Sequence, residues 1–237
     1  MGLLTILFII LALVIFYYIY IGLTKSGPIT SLTDAKVAQT IDPSKLASNS
    51  GSNNYSYSVW MYIDNWNYRY GEPKVVFGRT DNSSQGESNP SPSVVLGAMQ
   101  NDLTISVTTY PTSKGGSPMV HNCLIKNVPL QKWTCLLISL YGRSLDVYLD
   151  GKLVRTCVLP GVAKVNKTAP VKVTPDGGFD GFTAKFMYYD MPTNPQEAWN
   201  IYKEGFASGG SLGNFFDKYK IKVAFLENNH EQGSLEI

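Results

Sequence analysis

A single apolar run at the start of the chain sets the first limit on what this protein can be. Residues 2–23 contain no Asp, Glu, Lys, Arg or His. As a helix, the run would reach roughly 33 Å, enough to cross a bilayer core of roughly 30 Å. Phe16, Tyr17, Tyr18 and Tyr20 cluster near its end, where aromatic rings suit the membrane interface. The run predicts a transmembrane helix over residues 1–24.

Two other interpretations of this run, a cleaved signal peptide and a buried core helix, fit it less well. A signal peptide has a basic segment before a shorter apolar stretch and a small-residue cleavage site after it. Neither feature is present, since the chain begins MGLL and leaves the run as YIGLTK. An N-myristoylation motif is also incomplete, because Ile6 stands where Ser or Thr is required.

The composition of the rest of the chain favours one all-β domain. Roughly 210 residues follow the anchor, which is room for one sizeable domain and its linkers. Aromatic residues make up 12% of the chain, and 21 Gly and 13 Pro lie between short apolar runs. A net charge of +2 with 16% charged residues leaves no basic patch strong enough for nucleic acid, so no nucleic-acid partner is predicted.

Charges beside the anchor and the cysteine pattern favour a cytoplasmic domain. Lys25 and Lys36 follow the apolar run, whereas only the terminal amine precedes it, so the positive-inside rule keeps the long domain on the cytoplasmic side. Cys123, Cys135 and Cys157 are odd in number and lack a framework spacing, which fits a reducing compartment. We therefore predict a single-pass membrane protein whose domain faces the reducing side.

Three N-glycosylation sequons argue for the opposite orientation. They begin at Asn54, Asn82 and Asn166, and occupied sequons would place the domain in a lumen or outside the cell. A chain this rich in Asn, Ser and Thr contains such triplets by chance. The sequons therefore carry little weight, and the prediction of a cytoplasmic domain stands against this alternative.

A polar stretch, residues 25–54, separates the anchor from the folded region and ends in SNSGSNN. This composition predicts a linker that sets the distance between membrane and domain. Within it, residues 31–41 predict a short helix with Ser31 as N-cap and Asp34 at the third position. The folded domain is predicted over residues 55–205.

Period-2 alternation marks the strands of this domain. Val59, Met61 and Ile63 share one face of residues 57–63, which is the pattern of a half-buried strand. Further strands are predicted at residues 74–77, 93–98, 103–109, 120–126 and 181–190. Residues 80–92, TDNSSQGESNPSP, predict an exposed loop that a partner or ligand can reach.

Residues 133–158 predict an antiparallel meander of three strands. Turns at residues 141–143 and at Asp150 and Gly151 separate its apolar runs, and an Asp-Gly pair between strands indicates a tight hairpin. In this register Cys157 lies beside about Ser144, and Cys135 is roughly 16 Å away along the neighbouring strand. That separation excludes a Cys135–Cys157 disulfide, so buried free thiols are predicted.

A capped helix follows the last predicted strand. Asn194 is the candidate N-cap, Pro195 takes the first helical position, Glu197 takes the third, and Gly205 ends the helix. These signals predict a helix over residues 195–204.

The C-terminal tail, residues 206–237, contains one more alternating run. Two interpretations stay open for it: an extra strand of the sandwich, or an arm that docks on a neighbouring protein by strand addition. The final ENNHEQGSLEI is predicted to be loose or partner-bound. The apolar residues of the run, which are candidate partner contacts, are Tyr219, Ile221, Val223 and Phe225.

The order of these signals resembles the laminin-G-like branch of the concanavalin A-like lectin/glucanase superfamily. Three blocks carry the resemblance: YSVWMYI, then VPLQKWTCLLISLYGRSLDVYLDGKLVRT, then GGFDGFTAKFMYYDMPTNPQEAWNIYKEG. The middle block has the family's Trp, Gly turn and DG hairpin at Trp133, Gly142, Asp150 and Gly151. The resemblance implies a two-sheet antiparallel jelly-roll sandwich with one short C-terminal helix.

The residues that would carry chemistry in this family are missing. Glucanases of the family use an ExDxE run, which this sequence lacks, and glycoside hydrolysis needs two carboxylates. His121 and His230 are not part of a triad or a metal motif. The loop pairs Asp81–Asn82 and Asn101–Asp102 resemble calcium ligands, but turn chemistry explains them equally well. We predict no enzyme activity and no catalytic, cofactor or metal residue.

Two functions remain. The first is a structural, membrane-anchored protein that contacts a lipid bilayer and the neighbouring proteins of a large assembly. Anchored laminin-G-like domains occur in large membrane-containing DNA viruses, and this analogy predicts a minor capsid protein that ties a protein shell to the virion inner membrane. The alternative is a lectin that binds a glycan through exposed rings such as Trp66 and Tyr68.

Overall fold

The computed structural model of this chain describes residues 10, 12, 13, 16, 17, 28–46, 52–80, 89–206, 222–227 and 230–236. They belong to two compact units, Ile29–Phe206 and a second unit built from the two chain ends. The predicted membrane span lies mostly outside the described residues, although Ile10, Leu13 and Phe16 within it are helical and exposed. Among the residues described, no helix has the length and apolar content needed to cross a bilayer.

Two antiparallel six-stranded sheets form the unit Ile29–Phe206. Its strands are β1 (Thr33–Asp34), β2 (Gln39–Ile41), β3 (Tyr55–Asn65), β4 (Lys74–Arg79), β5 (Ser93–Leu96), β6 (Leu103–Thr109), β7 (Met119–Ile125), β8 (Trp133–Tyr141), β9 (Ser144–Leu149), β10 (Lys152–Val158), β11 (Val171–Val173) and β12 (Asp180–Tyr189). The first sheet has the order β1-β12-β3-β8-β9-β10, and the second has the order β2-β11-β4-β5-β6-β7. The predicted all-β sandwich is confirmed.

One apolar core fills the space between the two sheets. Alternate residues of each strand point inward, as the period-2 pattern predicts, and every strand predicted from that pattern is present with bounds shifted by at most two residues. Aromatic rings occupy the centre, where Tyr57 lies 5.4 Å from Phe77 and 5.9 Å from Phe186 between ring centroids. Burying such rings contributes about 1.5–3 kcal/mol each.

One helix, α1 (Pro195–Lys203), covers part of the outer face of the first sheet. Its N-terminus is a capping box: the Asn194 side chain accepts from the Glu197 amide, and the Glu197 side chain accepts from the Asn194 amide. A cap of this kind contributes about 0.5–2 kcal/mol. Ala198 packs against Leu137 and Tyr148 of the sheet. The predicted helix is confirmed, one residue shorter than expected.

Lys185 holds the end of α1 against the same sheet. Its buried ammonium donates to the Glu204 carboxylate at 2.9 Å and to the Gly205 carbonyl at 3.2 Å. Just beyond, Phe206 stacks on Trp133 with ring centroids 4.3 Å apart. These contacts explain why the chain stays on the sheet after the helix has ended.

The segment before residue 55 is part of the sandwich rather than a linker over most of its length. β1 pairs with β12, β2 pairs with β11, and Ala35, Ile41 and Leu46 are buried in the core. The predicted helix over residues 31–41 is therefore wrong. The Asp34 carboxylate accepts from the Lys36 amide in a turn, so the acidic residue that suggested a helix start in fact connects two short strands.

The cysteine prediction is wrong for two of the three residues. Cys123 of β7 and Cys157 of β10 form a disulfide, with their Cα atoms 6.0 Å apart. It joins the edge strands of the two sheets, and the two cysteines are 34 residues apart in the sequence. In the chain-entropy model, a loop of this length stabilises the folded state by about 3–4 kcal/mol. Cys135 is the buried free thiol that was predicted, and burial raises its pKa to about 12.

The second unit contains a two-stranded antiparallel sheet of β13 (Lys222–Glu227) and β14 (His230–Glu236). The described part of the alternating tail segment, β13, therefore pairs with β14 in a sheet of its own. Of the candidate contacts in the tail, Val223 and Phe225 lie on β13, whereas Tyr219 and Ile221 are outside the described residues.

Arg79 connects β4 to a distant loop from a buried position. Its Nε donates to the Ala169 carbonyl at 3.0 Å, and its Nη2 donates to the Lys167 carbonyl at 2.6 Å. A third nitrogen, Nη1, lies 3.5 Å from the Tyr57 hydroxyl. The guanidinium group thus supplies the donors that this loop needs in order to close over the core.

We expect Arg79→Met to lower the free energy of unfolding by about 2–4 kcal/mol, since carbonyls at the core boundary lose their donors. Urea denaturation followed by far-UV circular dichroism measures the change. Arg143→Met is the matched control, because Arg143 is exposed and makes one carbonyl contact, to Leu159 at 2.9 Å. Equal losses in the two variants would contradict this role of Arg79.

Candidate ligand-binding pocket

Three loops at one end of the sandwich line an open cavity of about 680 Å³. They are the β3–β4, β5–β6 and β7–β8 connections, which lie together because these strands end at the same side of the molecule. Met99 and Leu130 give the cavity an apolar rim. Its other lining side chains carry hydrogen-bonding groups: Trp66, Gln100, Asn101, Asp102, Lys126 and Asn127.

Hydrogen bonds between the β5–β6 and β7–β8 loops fix the relative positions of the residues that line the cavity. Asn101 donates from its side-chain amide to the Val128 carbonyl at 2.9 Å, and its own carbonyl accepts from the Val128 amide at 2.7 Å. The Asp102 carboxylate accepts from the Asn127 amide at 3.3 Å. Asn101 and Asp102 therefore stabilise the loops by hydrogen bonding, as their turn chemistry in the sequence suggests, and they also line the cavity.

Trp66 contributes the aromatic surface of the cavity. It is half-buried and packs against the main core. The ammonium of Lys74, a residue that is 1% exposed, lies 4.7 Å from the centroid of the Trp66 ring. Burial lowers the pKa of Lys74, and Arg69 lowers it further. The indole thus lines the cavity and offsets part of the cost of a buried cation.

Tyr68 does not join Trp66 at the cavity. Its hydroxyl donates to the Gly177 carbonyl at 3.1 Å, and the Lys36 ammonium lies 5.0 Å from its ring centroid. Arg69 donates beside it to the carbonyls of Asp176 and Gly178. Tyr68 therefore packs on the turn that precedes β12, and the structure separates the two rings that the sequence analysis grouped together.

Gln100, Lys126 and Asn127 line the cavity without having been predicted. Each lies in a short polar segment between two strands, and no local motif distinguishes these segments from ordinary turns. In the sequence, Trp66 and the adjacent pair Asn101 and Asp102 were the signals for this site. Pairing of β6 with β7, which connects Leu103 to Ile125, is what brings the two loops together.

The cavity suits hydrogen bonding to a neutral polar ligand better than it suits metal binding. Among the described residues, no three His, Cys, Asp or Glu side chains are grouped as a metal site would require. Asp102 and Lys126 are the charged side chains of the lining, and the others are amides, an indole and two apolar groups. Amides and a carboxylate around a flat ring match a ligand rich in hydroxyl groups.

We expect Lys74→Met to raise the free energy of unfolding at pH 7, by an amount that shrinks as the pH rises. The folded protein binds the Lys74 proton less tightly than the unfolded chain, where the pKa is near its ordinary 10.5. The resulting loss of folding free energy is complete at pH values below the pKa of Lys74 in the folded protein. It disappears as the pH rises through the folded pKa and then the unfolded pKa of that group. Urea unfolding of both proteins at pH 7, 9 and 10.5 measures this difference.

Lys126→Met is the control for that experiment, because Lys126 is exposed. Its effect on the free energy of unfolding should be small. A Lys74→Met difference that stays constant between pH 7 and 10.5 would contradict the buried-cation interpretation.

Solved structures share the fold at very low sequence identity. The receptor binding domain of botulinum neurotoxin D has a TM-score of 0.54 and 11% identity, covering 75% of this chain and 45% of that chain. A point mutant of a domain titled HCR/D has a TM-score of 0.52 and 11% identity, covering 73% of this chain and 41% of that chain. This chain therefore spans less than half of those proteins, and the likeness shows the fold alone.

No curated protein matches the chain. The model of the concanavalin A-like lectin/glucanases superfamily matches residues 36–198, which is more than half of the chain. That range begins ahead of β2 and ends within α1, so it includes nearly the whole sandwich. It also agrees with the resemblance seen in the sequence blocks. The chain belongs to the concanavalin A-like lectin/glucanases superfamily.

Proposed function

We propose that this protein is a non-catalytic binding domain of the lectin type, with its glycan site in the Trp66 cavity. The observation that carries the proposal is the lining of that cavity, where an indole lies among Gln100, Asn101, Asp102 and Asn127. Ring faces pack on the C–H surfaces of sugars, and amides and carboxylates pair with their hydroxyl groups. A volume of about 680 Å³ lies in the usual range for small-ligand sites.

The same lining argues against hydrolysis of the glycan. Asp102 is the one carboxylate among the residues that line the cavity, and its side chain already accepts from the Asn127 amide. Glycoside hydrolysis uses two carboxylates about 5–10 Å apart. The solved domain with the same fold is titled as a receptor binding domain of its toxin, which supports a binding role here as well.

A glycan array probed with the full-length chain in detergent tests the proposal. We expect binding to a defined set of neutral or weakly charged oligosaccharides. Trp66→Ala should lower the affinity at least about tenfold, because truncating an aromatic anchor removes its packing contact with the ligand. Trp199→Ala is the matched control, because Trp199 is an exposed indole on α1, outside the cavity.

Trp66 also packs on the core, so Trp66→Ala could lower binding by disturbing the fold. A second variant distinguishes this effect from the loss of a ligand contact. Gln100 and Asn127 are exposed lining residues. The double variant Gln100→Ala, Asn127→Gly, which keeps a residue that tolerates the positive φ of position 127, should fold normally and still lose glycan binding. Absence of specific binding on the array, or binding that neither cavity variant reduces, would overturn the lectin proposal.

The second candidate function is a membrane-anchored protein that contacts neighbouring proteins of an assembly. The apolar run of residues 2–23 favours it, because a run of that length matches a bilayer core. Its placement in a virion shell stays a prediction that rests on analogy. The cytoplasmic orientation also stays a prediction, and the Cys123–Cys157 disulfide favours the opposite, oxidising side.

Rapid alkylation of the protein in its native membrane, followed by peptide mapping, tests anchor and orientation together. We expect the chain to stay in the membrane fraction after carbonate washing, with a disulfide at Cys123–Cys157 and an alkylated Cys135 only after denaturation. Release by carbonate would contradict the anchor. Free thiols at all three cysteines before reduction would place the domain on the reducing side.

A further inference from the structure

The lateral edges of the sandwich differ in length. On one side the sheets end in β1 and β2, which have two and three residues. On the other side they end in β7 and β10, which have seven residues each. A strand at a sheet edge has backbone N–H and C=O groups without strand partners, and a long exposed edge is a template for pairing with another chain. The long side is therefore the one that can accept a further strand.

Both long edges are exposed along most of their length, but β10 carries two cations, Lys152 and Arg155, whereas β7 has no Lys or Arg. On β7, the Leu124 carbonyl already accepts from the Arg155 guanidinium at 2.8 Å. On β10, every side chain except that of Cys157 is exposed. Three of them are apolar: Leu153 is 50% exposed, Val154 is 46% exposed and Val158 is 69% exposed. These side chains provide apolar surface that a partner strand could cover.

Cations line this edge without carboxylate partners. Among the described residues, neither Lys152 nor Arg155 makes an ion pair, and the Arg143 guanidinium beside Val158 donates to the Leu159 carbonyl. The carboxylate of Asp146, which faces β10 from β9, accepts from the Thr156 hydroxyl at 2.6 Å. The edge is therefore positive as well as apolar.

We propose that the free edge of β10 binds an extended, acidic segment of a partner protein, which adds a strand to the first sheet. Its backbone would pair with β10, its apolar side chains would cover Leu153 and Val158, and its carboxylates would face Lys152 and Arg155. Like charges repel across paired strands, so the same cations disfavour pairing with the β10 edge of a second copy. This inference is independent of the glycan site, which lies in the loops at the end of the sandwich.

Val154 limits the part of β10 that can pair with the backbone of the partner. The pairing of β10 with β9 shifts register between Leu153 and Arg155, so Val154 is a bulge residue. A bulge interrupts regular pairing. The regular run from Arg155 to Val158 therefore supplies the main-chain contacts, whereas Lys152 and Leu153 supply side-chain contacts beyond the bulge.

Fluorescence anisotropy with labelled octapeptides and the full-length chain in detergent tests the proposal. The probes are four repeats of Val-Glu, four repeats of Val-Lys, and a Val-Glu peptide N-methylated at alternate residues so that it lacks the N–H groups facing one edge. We expect the plain Val-Glu peptide to bind at least about tenfold more tightly than either of the other two, because both charge and main-chain pairing contribute.

Variants assign the binding to β10. Lys152→Glu should weaken Val-Glu binding about threefold, and Lys152→Glu with Arg155→Glu at least about tenfold. Lys45→Glu, the same charge change at an exposed residue that follows β2, should leave it within about twofold. Because Arg155 also holds β7, the single Lys152 variant keeps the test valid if the double variant does not fold.

Several results would overturn the proposal. If the N-methylated peptide bound as tightly as the plain Val-Glu peptide, the edge would attract acidic peptides by charge alone, without strand pairing. Binding to phosphatidylserine vesicles that depends on Lys152 and exceeds peptide binding would assign this edge to a membrane surface. Unchanged Val-Glu binding in Lys152→Glu would also remove β10 from the interaction. None of these results bears on the glycan array.

Discussion

Burial of the two inward sheet faces against each other is the constraint on which the rest of this structure depends. The rings of Tyr57, Phe77 and Phe186 lie at the centre of that core, within 6 Å of one another between centroids. The sheets cannot separate without exposing them, at a cost of about 1.5–3 kcal/mol for each ring. The Cys123–Cys157 bond joins the sheets at one side, and Arg79 fastens a loop over the core. The loops and edges gain their fixed positions from this closed sandwich.

Polar loops at one end of the sandwich form the proposed glycan site. The cavity at the loop end is built from side chains that have first satisfied their own loops, as Asn101 does with Val128 and Asp102 does with Asn127. What remains for a ligand is the indole of Trp66 and a set of outward hydrogen-bonding groups. The ammonium of Lys74 lies against that indole, and burial lowers its pKa.

The two proposed interactions use different parts of the fold for one physical reason. A glycan needs a concave site, and concavity arises where loops of unequal length surround the strand ends. A protein segment can instead use the sheet itself, whose edge has regularly spaced backbone groups. One side of the sandwich carries the long edges β7 and β10, the disulfide between them, and the cations Lys152 and Arg155. The two proposed sites are therefore separate on the surface, and we expect binding at one to leave the other accessible.

The sequence by itself determined the features that are local. Period-2 runs located the longer strands, the Asp150–Gly151 pair located a hairpin, and the Asn194 capping box located the helix, because each is set by neighbouring residues. Only the tertiary structure decided the rest: the strands at residues 33–41, the Cys123–Cys157 pairing, and the meeting of Trp66 with Lys126 at one cavity. Each of these joins segments far apart in the chain, and which segments meet depends on the order of strands in the sheets, which no local pattern encodes.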